Sequence, residues 1–368
     1  MTPAAEMRSP RYLTKWGLEM SSISLILCTY NRCRNLAKAL ESVAASTLLD
    51  SVGWDVLVVD NNSTDQTREV IEDFCRRYPG HIHYMFEPKQ GKSYALNAAI
   101  QAARGDVLAF TDDDVIVEPG WLKNLTAPLD DSKWSGTAGR ISLGMDFSPP
   151  PWLRIRGAFN LGGSLVQFDE GDTQAELTKA PFGANMAFRK CMFEKYGNFR
   201  TDLGRKGRGL IGNEDTEFGE RLMAAGERLC YVPSALVNHP VTPGRLTKSY
   251  FRAYWFYYGC SVARQTGERL PRWIIPLRYL RRFIRRLQWM FSVNRRWFLS
   301  PYGRFFCEVH ALMAVGQIVE SYRQSIQARP SSIIFRRSAK EIPHDPTDLN
   351  HQAETRRGCY KPGGSQSS

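Results

Sequence analysis

The stretch Gly105-Asp106-Val107-Leu108-Ala109-Phe110-Thr111-Asp112-Asp113-Asp114 constrains this chain more than any other. Residues 107–110 are a continuous apolar run, the pattern of a strand buried on both faces of a parallel sheet. Three carboxylates follow at its C-terminal end, which is where open α/β sheets hold their ligands. Adjacent carboxylates repel one another and rise in pKa unless a cation neutralises them. Hard oxygen donors suit Mg2+ or Mn2+, ions that commonly reach a protein through one or two carboxylates plus the phosphates of a substrate. The expectation is a metal–diphosphate site. A solvated acidic turn is the plainer alternative, and the strand in front of the triplet weighs against it.

The flanking sequence repeats the theme. Strands are expected at 24–28, 55–59 and 83–86, and helices at 35–46, through Val70, Ile71 and Phe74, and through Ala95, Leu96, Ala99 and Ile100. Ser63 or Thr64 is the expected cap of the second helix, and Gly105 the expected stop of the third. Short loops between alternating strands and helices predict an α/β fold, an open and mostly parallel sheet flanked by helices. The polar clusters 29–32, 60–65 and 112–114 all fall at strand C-termini and should converge on one crevice. A helix at 120–129 closes this half. Residues 136–178 read as short strands and loops covering an acceptor pocket. A strand from 182 to 189 precedes a helix, Gly212-Asn213-Glu214-Asp215 precedes a helix at 216–225 ended by Gly226, and a strand returns at 229–232 toward His239. No Gly-x-Gly-x-x-Gly or Walker loop occurs, which speaks against dinucleotide oxidoreductases and P-loop NTPases.

Four of these segments carry a resemblance. Leu27-Cys28-Thr29-Tyr30-Asn31-Arg32, the run from Val58 through Asp60, Asn61 and Asn62 to Asp65, the run from Phe110 to Asp114, and Gly212-Asn213-Glu214-Asp215 with Arg221-Leu222 resemble the family 2 glycosyltransferases in order and spacing, over about residues 22–240. The resemblance implies a GT-A fold, a nucleotide-sugar donor, a divalent cation (Mg2+ or Mn2+) and inversion at the anomeric carbon. It assigns donor binding to Thr29, Tyr30, Asn31, Arg32, Asp60 and Asn61, with Asp112 toward the ribose. The metal ligand is Asp113 or Asp114 according to register, so Asp112, Asp113 and Asp114 all stand as candidates, with His239 as a further metal contact. Lys92 and Asp113 are candidate donor contacts near the diphosphate. Asp215 is the implied general base and Glu214 its neighbour toward the acceptor; taken alone, such a pair would read as helix capping. Gly183, Ala184 and Asn185 would line the sugar and acceptor pocket. Many family members carry Asp-Asp where this chain has Asp60-Asn61. A carboxylate accepts the imino proton of uracil, whereas an amide both donates and accepts, so the UDP-sugar that the resemblance favours is less secure here and GDP- and dTDP-sugars stay open.

Charge divides the chain near residue 244. Residues 1–244 hold 27 Lys/Arg against 30 Asp/Glu, and residues 245–340 hold 19 against 3. The expected organisation is an N-terminal arm (1–21), a catalytic domain (22–244), a basic amphipathic helical extension (245–340) and a disordered tail (341–368). Arginines at 281–282, 285–286 and 295–296 interleave with aromatic and aliphatic residues, a pattern suited to an anionic membrane surface; simple packing against the catalytic domain is the alternative. No nucleic-acid motif accompanies the charge, and no nucleic-acid partner is expected. Eight cysteines without a Cys-x-x-Cys pair point away from zinc and disulfide frameworks and toward a reducing compartment. No signal-peptide core and no run of 18 or more apolar residues is visible. The expectation is a cytoplasmic enzyme, peripheral at the inner membrane face, acting on a lipid-linked or polysaccharide acceptor. A non-catalytic nucleotide-sugar-binding scaffold is the second reading, and a nucleotidyltransferase the third.

Overall fold

Apolar runs become the central strands, and their register sets the site. The computed structural model describes residues 22–327 apart from 48–52, 145–146, 158, 208, 269 and 294–299, together with a short hairpin of β1 (Tyr12–Leu13) and β2 (Glu19–Met20). The rest of the expected arm, the Arg295-Arg296 cluster and the tail at 341–368 lie outside the described residues.

β3 (Ile23–Thr29), β4 (Trp54–Asp60), β5 (Ile82–Phe86) and β6 (Val107–Asp112) pair in parallel in the order β5-β4-β3-β6. Helices α1 (Cys33–Thr47), α2 (Thr67–Arg77) and α3 (Lys92–Ala102) connect them. Thr29 lies opposite Asp60, and Cys28 opposite Asp112, so the polar ends of three strands line up along one edge. The sheet continues through β10 (Asn185–Arg189), antiparallel to β6 and to β8 (Gly136–Ser142), and then β11 (Leu229–Asn238), parallel to β8. Two-residue strands β7 (Ile116–Val117) and β9 (Ala175–Glu176) pair with β11. The remaining helices are α4 (Trp121–Thr126), α5 (Lys190–Tyr196), α6 (Glu214–Ala224), α7 (Lys248–Thr266), α8 (Ile274–Val293) and α9 (Pro301–Gln327).

Several expectations need correction. Neither Ser63 nor Thr64 caps α2; Asp65 Oδ1 accepts from the Thr67 amide instead (3.1 Å), a carboxylate at a helix start where the dipole favours it. Gly105 does not stop α3, which ends at Ala102. It sits where the chain crosses β3, and a Cβ there would lie 2.4 Å from the Ser24 nitrogen. The helix expected at 120–129 splits into α4 and a 3-10 turn at Ala127–Asp130. Within 136–178, Gly136–Ser142 is not a cover but a sheet strand, and the strand expected from 182 starts at Asn185. α6 begins at Glu214, so Glu214 and Asp215 stand in its first turn. Gly226 does end it, in left-handed backbone (φ 87°), with the Gly226 and Glu227 amides closing on the Met223 and Leu222 carbonyls.

The described residues form one compact unit that ends at Gln327. A main core lies on both faces of the sheet, and a second joins Leu143, Leu153, Phe159, Leu161 and Leu165 to Phe251 of α7 and to Phe305, Phe306 and Val309 of α9. Among the described residues, no helix is long and apolar enough to cross a membrane.

Candidate active site

The aligned strand ends open into a crevice lined among others by Thr29, Tyr30, Arg32, Asn61, Gln90, Lys92, Asp112, Asp113 and Asp114, and by Arg205, His239 and Arg245. Its three carboxylates point in different directions. Asp112 Oδ1 accepts from Lys92 Nζ (2.6 Å). Asp113, buried behind it, accepts from Thr29 Oγ1 (2.7 Å) and Arg32 Nη1 (3.0 Å). Asp114 accepts from Arg32 Nη1 (2.6 Å) and lies 3.4 Å from both His239 Nε2 and Arg245 Nη2.

Electrostatics separate the pair. Burial pushes the Asp113 carboxyl up to about 6 despite Arg32. Burial opposes ionisation of Asp114 too, but the bond to His239 and the charges of Arg32 and Arg245 hold it well below the usual carboxylate range. Asp114 is therefore the firmly ionised member. Lys92, at the start of α3, joins the triplet to the Glu-Asp motif, with its Nζ 3.7 Å from Glu214 Oε1. Burial disfavours its charge, yet Asp112, Glu214 and Asp215 hold its pKa above the ordinary lysine range. Burial, reinforced by Asp215, lifts Glu214 to about 7.

Asp215 is half-buried, whereas Glu214 is buried. Its Oδ2 accepts from the Gly183 amide (2.6 Å) and its Oδ1 from the Thr216 amide (2.7 Å). A Cβ on Gly183 would stand 3.0 Å from Asp215 Oδ2, so the absence of a side chain there permits the contact. The Ala184 carbonyl accepts from Thr111 Oγ1 (3.0 Å), which ties this turn to β6.

Two expected contacts are structural. The Asn61 amide is fully engaged, its oxygen with the Gly91 amide (2.7 Å) and its nitrogen with the Glu87 (3.1 Å) and Lys89 (2.8 Å) carbonyls. It shapes the loop leading to Lys92 while lining the crevice. Asn185 is fully buried and equally saturated, accepting from Trp121 Nε1 and donating to the Arg140 and Ala235 carbonyls. It pins β10 to its neighbours and does not face a sugar. Asn31 Oδ1 accepts from the Thr64 amide and joins the loops after β3 and β4, while Asp60 Oδ1 accepts from the Ser63 amide within its own loop. Gln90, Arg205 and Arg245 line the crevice without having been expected. The signals for the two arginines were a basic run just before Gly212 and an arginine six residues after His239.

Asp114 and His239 offer one carboxylate oxygen and one imidazole nitrogen facing each other, a donor set suited to Mn2+ or a similar ion. His239 Nδ1 is buried without a hydrogen-bond partner among the described residues. No group of three or more His, Cys, Asp or Glu among the described residues is arranged to hold an ion by itself. These residues thus fit an ion completed by ligand oxygens.

A mixed sheet of this order, with a carboxylate crevice at the parallel strand ends, defines a GT-A fold. The chain superposes on the mannosyltransferase PcManGT from Pyrobaculum calidifontis, solved in complex with GDP-Man and Mn2+, with a TM-score of 0.50 over 97% of this chain and 86% of that one, at 16% identity, a likeness of fold. Residues 24–197 match the model described as glycosyl transferase family 2, and the protein is a glycosyltransferase similar to that family. It is 28% identical over 255 residues to the succinoglycan biosynthesis protein ExoM of Rhizobium meliloti (strain 1021), covering 68% of this chain and 77% of that one. It is 27% identical over 252 residues to a glucosyl-dolichyl phosphate glucuronosyltransferase of Haloferax volcanii, covering 65% and 76%.

Proposed function

We propose that the protein transfers a sugar, with inversion, from a nucleoside-diphosphate donor to a hydroxyl of a polysaccharide or lipid-linked acceptor at the cytoplasmic face of a membrane. The observation that carries this reading is the crevice in which Asp114 lies beside His239, with Lys92 of its lining reaching Glu214 of the motif that also holds the half-buried Asp215. Asp114 and His239 would hold a divalent cation, which when bound supplies neutralising charge to the leaving diphosphate. Arg32, Lys92, Arg205 and Arg245 bring four positive charges to a lining that holds three carboxylates, a balance that accepts an anionic donor. Tyr30 and Gln90 line the same crevice and could contact the nucleoside. A uridine nucleotide is the favoured donor on the family resemblance alone, with GDP- and dTDP-sugars as the alternatives. The names of the two curated relatives, one a polysaccharide biosynthesis protein and one acting on a dolichyl phosphate, support the acceptor class.

Asp215 takes the proton from the acceptor hydroxyl as that oxygen attacks the anomeric carbon. The amides of Gly183 and Thr216 fix its carboxylate, and Lys92 keeps positive charge near it. Asp215→Asn should lower the transfer rate by about 10²–10⁴-fold. The same variant should retain the thermal stabilisation given by donor nucleotide with Mn2+. Near-normal turnover in this variant would sink the assignment.

A further inference from the structure

We propose that α8 is a docking surface for an anionic lipid bilayer. Its sequence contains five arginines (278, 281, 282, 285 and 286) and no acidic residue. One face is committed to the protein: Ile275 and Tyr279 are buried, and Tyr279 Oη meets Ser321 Oγ of α9 at 3.0 Å. At about 100° per residue, Leu277, Leu280, Ile284 and Phe291 fall within roughly 60° of one another on the opposite side. They are 49%, 52%, 44% and 45% exposed, and Trp273, immediately before the helix, is 71% exposed. Arg281, Arg282 and Arg285 are exposed on one flank between the two faces, with no acidic partner among the described residues.

A solvent-facing helix held through its inner face gains nothing by carrying large apolar side chains at +3, +4 and +7 on its outer face. Something apolar must cover that stripe, and something anionic must suit the arginines beside it. A bilayer with acidic headgroups meets both needs, with the aliphatic stripe at the acyl boundary and Trp273 at headgroup level. A second copy of this chain would bring like-charged arginine flanks toward one another, which disfavours pairing. The surface is independent of the donor assignment.

The test is co-sedimentation of the full chain with vesicles of phosphatidylcholine alone and with about a third phosphatidylglycerol. Binding should be at least roughly tenfold stronger to the anionic vesicles and should weaken with salt. Arg281→Ser with Arg285→Ser should reduce it by roughly fivefold per arginine. Leu280→Glu with Ile284→Glu should reduce binding to both vesicle types, roughly 30-fold or more on anionic ones. Neither pair lines the crevice, so nucleotide-dependent thermal stabilisation should be unchanged in both, which certifies the fold. Equal binding to both vesicle types would overturn the proposal, as would a stripe variant that binds normally. A concentration-dependent dimer in light scattering that Leu280→Glu with Ile284→Glu abolishes would assign the stripe to a second copy instead. Vesicle binding by a folded chain that transfers no sugar would leave this inference standing and remove the catalytic one.

Discussion

Glu227, in the turn after α6, accepts hydrogen bonds from Ser135, from Tyr196 Oη (2.6 Å) and from Lys195 Nζ (2.9 Å), and so joins α5, α6 and the start of β8. These bonds, led by that from Ser135, lower its carboxyl from 4.5 to about 2. A depressed folded-state pKa favours the carboxylate. Its stabilisation is therefore fully present above about pH 4.5 and is lost as pH falls through about 2. Glu227→Gln should cost about 1–2 kcal/mol at pH 7 in urea unfolding, with the gap to wild type closing across that acid window. A gap that is constant with pH would refute the linkage. Residue-scale roles were the least legible in the sequence. Thr29, Arg32, Lys92, Asp112, Asp114 and His239 could be picked out because each ends a strand or opens a helix facing the crevice. The structural bonds of Asn61 and Asn185, which the sequence placed at the donor and the sugar, were not legible, because the partners of their amides lie 26 to 64 positions away in the chain.

At the scale of elements, parallel strands were legible because burial on both faces leaves an unbroken apolar run, as in β3, β4 and β6. β8 escaped notice because Gly136, Thr137, Gly139 and Arg140 interrupt that pattern. Its glycines are dictated by neighbours invisible in the sequence: a Cβ on Gly139 would fall 2.0 Å from the Ala235 carbonyl oxygen. The same logic governs α7 against α9. A Cβ on Gly259 would approach the Met313 carbonyl oxygen to 2.1 Å, and one on Gly316 the Phe256 carbonyl oxygen to 2.0 Å. Two helices in backbone contact cannot absorb a branched side chain without moving apart. Gly316→Val should therefore destabilise by about 2–3 kcal/mol and lower the melting temperature by roughly 4–12 °C. A melting temperature within about 1 °C of wild type would mean that the helices slide freely, contrary to this packing.

Across the whole molecule, the charge changes sign near residue 244 but the packing runs through that point. α7 supports the Glu214-Asp215 motif directly: Ser261 Oγ accepts from the Gly212 amide (3.0 Å), and Gln265 Oε1 accepts from Asn213 Nδ2 (3.1 Å), two residues and one residue before Glu214. Arg264 Nη1 and Arg200 Nη1 exchange bonds with the carbonyls of Asp202 and Gln265. Trp152 sits edge-on to Phe251 and Phe305 with ring centres 5.3 and 5.1 Å away. A chain ended at residue 244 would uncover Leu143, Leu153, Phe159, Leu161 and Leu165. At about 1.5–3 kcal/mol for each such side chain, that exposure costs roughly 7–15 kcal/mol, comparable with the entire stability of an ordinary domain. It would also remove Arg245 from the crevice and leave the start of α6 without its supports. We therefore expect residues 1–244 alone to give no cooperative thermal transition and no metal-dependent stabilisation by nucleotide. The helices after 244 are then part of the catalytic fold as well as the carrier of the α8 surface. Should the fragment melt cooperatively and bind donor as the full chain does, those helices would be an appendage, and the second core would be dispensable to catalysis.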